Sequence, residues 1–255
     1  VAPKPVTQNK IVEPVATSNG STIITSDFHG VERSEVGLEY LPQPDYLEFT
    51  LPNTHVALVT NDGSDLTSKV IAQLETKGNK VVALNLPNQA SKISTNGIDL
   101  ESHSDEAVKN AIEKIRTQYG EVGSFIHLHP HFEFQNGNFV QHFPAERQVV
   151  KTLFFLAKHL QKPLNDLGQT QRANFVTVTR MDGKLGQGKR GNVSVVGGGI
   201  TGLVKCLNLE WSPVFCRAVD IQPELSSDVI ATQVIAELHD PNVRNMEVAF
   251  SEEER

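Results

Sequence analysis

The chain is short of cysteine, of positive charge and of long apolar runs, and each shortage excludes something. Its two cysteines, Cys206 and Cys216, have no spacing that suggests a disulfide framework or a zinc site, and they read as reduced core residues. Lys and Arg number 23 against 30 Asp and Glu, a formal charge of −7. A nucleic-acid binder would carry a basic patch or stripe. No apolar run approaches the roughly 20 residues that span a bilayer, and the N-terminus lacks the charged-then-apolar pattern of a signal peptide. The expectation is a soluble cytoplasmic protein with neither nucleic acid nor membrane as partner. Its 255 residues suffice for one large domain or two small ones, with a sizeable core.

Periodicity is also missing from the first 35 or so residues, which are rich in Val, Pro, Thr, Ser and Asn. Ala2-Pro-Lys-Pro5 and Glu13-Pro14 disfavour helix and central strand. Residues 1–36 therefore read as a linker or an extended arm, and the chain as a piece of a longer polypeptide whose main domain is 37–255. Alternation on either side of Pro42 and Pro44 predicts two short strands between Gly37 and Leu51.

From His55 short apolar runs alternate with amphipathic segments. Strands are expected at Val56–Thr60, Val81–Leu86, Gly123–Leu128, Ala173–Thr179, Val214–Ile221 and Asn245–Phe250. Helices are expected at Leu66–Lys77, Asp105–Tyr119, Pro144 to about Leu167, Val196–Trp211 and Ser227–Leu238. Uniformly apolar strands alternating with helices mean a parallel sheet covered on both faces, a Rossmann-like doubly wound α/β domain. The best-patterned helix is Val196–Trp211. Val196, Ile200, Leu203, Leu207 and Trp211 line one face, and Cys206 and Leu209 are apolar on others. A helix apolar on most of its circumference is usually buried on two sides, so one face is expected on the sheet and another against a partner. Gly197 to Gly199 mark its entry or a close backbone approach.

A dinucleotide fold needs glycines at the first strand-to-helix turn, where the pyrophosphate meets a helix N-terminus. Here that turn is Thr60-Asn-Asp-Gly-Ser-Asp-Leu66, with one glycine, Gly63, and with Asp62 and Asp65 where phosphates would lie. Like charges there cost about 1 to 4 kcal/mol per pair. The second strand ends in Asn85-Leu-Pro-Asn88, without the carboxylate or arginine that would hold a ribose. No dinucleotide is expected on this turn.

With the order of elements, Phe125-Ile-His-Leu-His-Pro130 and Gly202-Leu-Val-Lys-Cys-Leu-Asn-Leu-Glu-Trp211 resemble the short-chain dehydrogenase/reductase superfamily. The stretch Gly199 to Asp220 is similar to the ketoreductase region of type I polyketide synthases and of bacterial polyunsaturated fatty acid synthases. Laid on the family's pattern, the catalytic tyrosine and lysine positions fall at Val193 and Gly197. The serine position falls at Arg180 or Thr179, and the Asn-Asn-Ala-Gly stretch is Leu128-His-Pro-His131. The resemblance thus implies a degenerate copy of the fold with no catalytic, cofactor-binding or metal residue. It would be the structural subdomain of a β-ketoacyl-carrier-protein reductase, bracing a catalytic subdomain beyond Arg255 that holds NADPH. The implied partners are that subdomain and an acyl carrier protein, with a homodimer left open. An independent reductase-fold enzyme using His127, His129 or Arg180, and a ligand-binding regulatory domain, are the alternatives.

Other constellations invite chemistry. His127, His129 and His131 alternate along one strand, with His142 and Glu133 near in sequence; three imidazoles on one face suit zinc, but the pair flanking Pro130 is expected to leave the strand, and structural histidines are the better reading. Gly186-Gln-Gly-Lys-Arg-Gly191 could cradle a phosphate such as a phosphopantetheine arm, yet it lacks the P-loop context, and a mobile surface loop is the better reading. Asp220 reads as a turn or cap residue, and Cys206 as inert within an apolar helix.

Overall fold

Among the described residues seven short strands and five helices follow one another along the chain, apolar runs too short for helices being separated mostly by serine-capped amphipathic segments. The computed structural model describes residues 36–89, 91–132, 144–188, 194–252 and 254–255. In chain order the elements are β1 (His55–Asn61), α1 (Asp65–Thr76), β2 (Val81–Asn85), β3 (Gly97–Asp99), α2 (Asp105–Gln118), β4 (Glu121–Leu128), α3 (Pro144–Gly168), β5 (Asn174–Thr179), α4 (Val195–Glu210), β6 (Phe215–Ile221), α5 (Ser227–Leu238) and β7 (Glu247–Phe250). The Oγ of Ser64, Ser104, Ser194 and Ser226 each accepts a backbone N–H in the first turn of α1, α2, α4 and α5. These bonds satisfy donors that a helix start leaves orphaned.

The strands pair in parallel in the order β3-β2-β1-β4-β5-β6-β7. The order reverses between β1 and β4, so the crevice outside the carboxyl ends of those strands is the fold's natural ligand position. Helices α1 and α5 pack together, and α3 packs against both α2 and α4. The core between these layers holds Phe125 and Phe175, with ring centroids 4.8 Å apart, and Trp211 edge-on to Phe175 at 5.6 Å. Burying each such side chain contributes about 1.5–3 kcal/mol.

Two expectations need correction. Residues 36–52 form no strand. Pro42, Pro44 and Pro52 remove the N–H donors a ladder needs, and the segment is held by individual contacts instead. Leu47 N–H donates to the His239 carbonyl (2.7 Å), Leu51 N–H donates to Asn79 Oδ1 (3.1 Å), and Tyr46 and Phe49 flank the His239 ring at 4.8 and 4.6 Å. The second correction is β3, an edge strand of three residues that the sequence reading did not anticipate. The linker reading of 1–36 lies outside the described residues except at Val36. No described helix is long and apolar enough to cross a membrane.

The strand β6 hides a charge in its apolar run. Arg217 is fully buried and donates to Glu237, to Asp240 Oδ2 (2.7 Å) and to the carbonyls of Asn242 and Asn245 (2.8 Å for Asn245), while Arg255 bonds the same two carboxylates at 2.7 Å each. Two arginines and two carboxylates alternate, which cancels charge that would otherwise be prohibitive in the interior.

On α4 the glycines divide. A Cβ at Gly197 would lie 2.6 Å from Met181 Sδ, so the close approach expected there is real, whereas at Gly198, Gly199 and Gly202 it would meet nothing within 4 Å. Each of those three costs about 1 kcal/mol of helix propensity relative to Ala. Cys206 is exposed, contrary to its reading as a core residue, and Cys216 is buried.

Candidate functional site

Three polar clusters meet at the carboxyl edge of the sheet, where strand ends and helix starts bring side chains distant in sequence together. The first fills the turn between β1 and α1. Asp62 accepts from Ser64 N–H (3.1 Å), Ser64 Oγ (2.6 Å) and Thr67 Oγ1 (2.7 Å), and Arg180 Nη2, just past β5, reaches across to Asp62 Oδ2 at 2.7 Å. The Asp62 side chain is fully buried and that of Arg180 is 14% exposed. A carboxylate therefore occupies the positive end of α1, where a cofactor phosphate would have to lie, and its counter-cation spans the crevice from β5. At the end of β2, Asn85 is tied to Asn61 (2.9 Å), Asp99 (2.9 Å) and Ile93 (2.9 Å). These residues do not fit a dinucleotide: its phosphate would meet the Asp62 carboxylate, and the side chain nearest its ribose is already committed.

The second cluster is a buried chain of hydrogen bonds. Thr60 Oγ1 lies 2.9 Å from His127 Nδ1, His127 Nε2 lies 3.2 Å from His129 Nδ1, and His129 Nε2 lies 3.2 Å from Glu146 Oε1. Ser194 Oγ, the cap of α4, donates to both Glu146 oxygens at 2.6 and 2.7 Å. Donor counting sets the direction. If Thr60 donates to His127 Nδ1, then His127 Nε2–H donates to His129 Nδ1, and His129 Nε2–H to Glu146. Burial first, and then the neighbouring His129, hold His127 well below the usual histidine range, in keeping with the neutral ring. The arrangement ties β1, β4, α3 and α4 into one polar unit.

The third cluster occupies the glycine-rich loop. Asp182 accepts the N–H groups of Lys184 (2.8 Å), Gly186 (2.8 Å) and Gly188 (2.8 Å). Asp220, at the end of β6, accepts those of Met181 (2.8 Å) and Leu185 (2.9 Å), together with Thr179 Oγ1 (3.1 Å). In the described part of the loop the backbone N–H groups converge on the chain's own carboxylates, Asp182 and Asp220. Lys189, Arg190 and Gly191 lie outside the described residues, as do Val193, Glu133 and His142. Asp220 is a turn-organising residue, as expected.

Of the histidine row, His127 and His129 share a buried face and bond each other, while His131 turns outward. Among the described residues no group of three or more His, Cys, Asp or Glu side chains is placed to hold a metal ion. Gly197 packs on Met181. Glu146 and Ser194 were missed from the sequence, because the two lie 48 residues apart and neither carries a motif.

The fold places this geometry among known proteins. The chain superposes on a 3-ketoacyl-(acyl-carrier-protein) reductase from Brucella melitensis complexed with NADH, with a TM-score of 0.58 and 20% identity over 76% of this chain and 94% of that one. A short-chain dehydrogenase/reductase mutant of Serratia marcescens superposes with a TM-score of 0.57 and 13% identity, over 76% and 94% of the two chains. The chain has the short-chain dehydrogenase/reductase fold. Residues 86–96 join β2 to β3 without a helix among the described residues. In sequence it is 25% identical over 236 residues to one of the subunits of the polyunsaturated fatty acid synthase of Thraustochytrium sp., a likeness covering 87% of this chain and 8% of that protein. Together these likenesses support the resemblance to a short-chain dehydrogenase/reductase-like ketoreductase region. No family model matches the chain.

Proposed function

We propose that residues 37–255 are the noncatalytic structural subdomain of a β-ketoacyl-carrier-protein reductase in a polyketide or polyunsaturated fatty acid synthase of the cytoplasm. It braces an adjoining catalytic subdomain that holds NADPH and receives β-ketoacyl thioesters from an acyl carrier protein. The observation that carries this reading is the Asp62–Arg180 ion pair across the switch-point crevice, in a sheet that pairs seven strands among the described residues. The filled cradle at Asp182 and Asp220 and the loss of the family's lysine at Gly197 add to it. No residue of this chain is assigned a step in the reduction.

A second reading, a reductase-fold enzyme with rearranged chemistry, draws on the buried His127–His129–Glu146–Ser194 chain. The two part on one experiment, the oxidation of NADPH by an acetoacetyl thioester. Under the first reading the chain alone gives no turnover, and His129→Ala lowers stability by roughly 1–3 kcal/mol, the cost of stranding buried partners. Turnover by the chain alone that His129→Ala abolishes without lowering the melting temperature would establish the second and remove the first.

A further inference from the structure

We propose that Thr60, His127, His129 and Glu146 form a buried proton store, a hydrogen-bonded row that can run in either of two directions. Loading it switches His127 from one ring tautomer to the other without charging that ring. The proposal goes beyond the structural-subdomain reading and holds whether or not the chain takes part in a reduction. Its pivot is the Thr60 hydroxyl. That oxygen accepts the Leu128 N–H at 3.0 Å, and its own proton has two acceptors within reach, His127 Nδ1 at 2.9 Å and the Leu128 carbonyl at 3.3 Å. In one direction Thr60 donates to His127 Nδ1, His127 Nε2–H to His129 Nδ1, and His129 Nε2–H to Glu146. In the other, Thr60 donates to the Leu128 carbonyl, His127 Nδ1–H to Thr60 Oγ1, and His129 Nδ1–H to His127 Nε2. His129 Nε2 and Glu146 Oε1 then hold a proton between them at 3.2 Å. Ser194 Oγ donates to Glu146 in both. Every contact of the row is satisfied either way, and the second direction carries one more proton than the first.

Burial decides where the added charge rests. His127, His129 and Glu146 are 1%, 7% and 1% exposed, and an unpaired charge at such depth is costly. Both ring nitrogens of His127 face neutral partners, a hydroxyl and an imidazole. Burial foremost, with the neighbouring His129, holds that ring well below the usual histidine range. His129 faces a carboxylate instead, so a proton loaded there is held by an imidazolium–carboxylate pair. A doubly protonated His129 cannot meet His127 Nε2–H, because two donors would face each other at 3.2 Å. The tautomer change at His127 is therefore obligatory. Among the described residues the other charges on these elements are exposed or committed. His131 on the β4 side and Arg147 on α3 are exposed. Residues 195–204 of α4 and the whole of β5 carry no ionisable side chain, and Lys205 is held by Glu247 at 3.1 Å. Asp62, past β1, is paired with Arg180 at 2.7 Å, and Asp182 and Asp220 are engaged by the glycine loop. Thr177 Oγ1, opposite His127 on β5, makes no hydrogen bond, so the row does not continue into that strand.

The test is nitrogen NMR on the chain with isotope-labelled histidines, because the chemical shift of each ring nitrogen reports whether it carries a proton. Spectra are followed downward in pH over the range in which circular dichroism is unchanged. His127 is expected to begin as the Nε2–H tautomer and to exchange it for the Nδ1–H tautomer while staying singly protonated. The exchange should share its midpoint with the gain of a proton at His129 Nδ1. Glu146→Gln removes the counter-charge and is expected to lower that midpoint by at least about one pH unit. Thr60→Val, which strands His127 Nδ1–H in the loaded row, is expected to lower it as well and serves if Glu146→Gln does not fold. A His127 that becomes doubly protonated, or that keeps one tautomer for as long as the fold persists, overturns the store. A midpoint that neither variant moves overturns it too.

Discussion

At the scale of the residue, Asp220 titrates against expectation. Burial foremost, and the neighbouring Asp182, outweigh its backbone donors and push its carboxyl up to about 6. For Asp182 the balance is reversed: burial pushes it up, but the N–H groups of Gly186, Lys184 and Gly188 prevail and hold it below the usual range. A carboxyl whose folded pKa exceeds its unfolded one contributes stability that is complete below about 3.8 and lost as pH rises through about 6. His127, depressed in the fold, works in the opposite sense, adding stability as pH rises toward 6.5. Comparison with Asp220→Asn separates the two. The stability of the wild type minus that of the variant, from urea denaturation, should fall by roughly 1–3 kcal/mol between pH 4 and pH 6. A difference that rises over this window contradicts the protonated carboxyl. None of this was legible in the sequence, where Asp220 was one acid at a strand end and its neighbour Asp182 lay 38 positions earlier.

At the scale of the element, α4 and β6 carry opposite lessons. Gly197 has an internal cause and Gly199 has none, so their alanine variants should diverge. Gly199→Ala is expected to stabilise the isolated chain by about 0.5–1 kcal/mol. Gly197→Ala is expected to destabilise it, because Met181 must move off a Cβ 2.6 Å from its sulfur. Urea midpoints that shift together would show that the two glycines share one environment. The inward face of α4 was readable from its sequence, with Ile200 and Leu207 buried and Trp211 buried at its cap, whereas the apolar Val195, Cys206 and Leu209 are exposed. The short strands expected at 37–51 were misread, because the segment is held by single contacts to His239 and Asn79 and has no ladder partner among the described residues. On β6, Phe-Cys-Arg-Ala-Val-Asp-Ile announced a charge in a buried run that must find partners, though not that Glu237, Asp240 and Arg255 supply them. Arg217→Met removes one cation from that set and should cost about 3–5 kcal/mol, measured by denaturant unfolding; a loss below 1 kcal/mol on the same ~3–5 scale would mean the network is dispensable.

At the scale of the molecule, the sheet of seven strands among the described residues has carboxylates of its own at the helix start and loop where anions could bind. Asp62 fills the start of α1, and Asp182 with Asp220 fills the described part of the glycine loop. The architecture was legible because parallel buried strands and capped helices leave strong periodic signals, and the obstacle at Asp62 was legible because one glycine and two acids in a turn oppose phosphate on charge alone. Its reinforcement by Arg180, 118 positions away, was not, since only the folded sheet brings β1 and β5 ends together. The most direct measurement is calorimetric titration of the chain with NADPH at neutral pH. No saturable heat is predicted up to millimolar cofactor. Saturable binding in the micromolar range, lost on mutation of residues lining the β1–β4 crevice, would contradict the account.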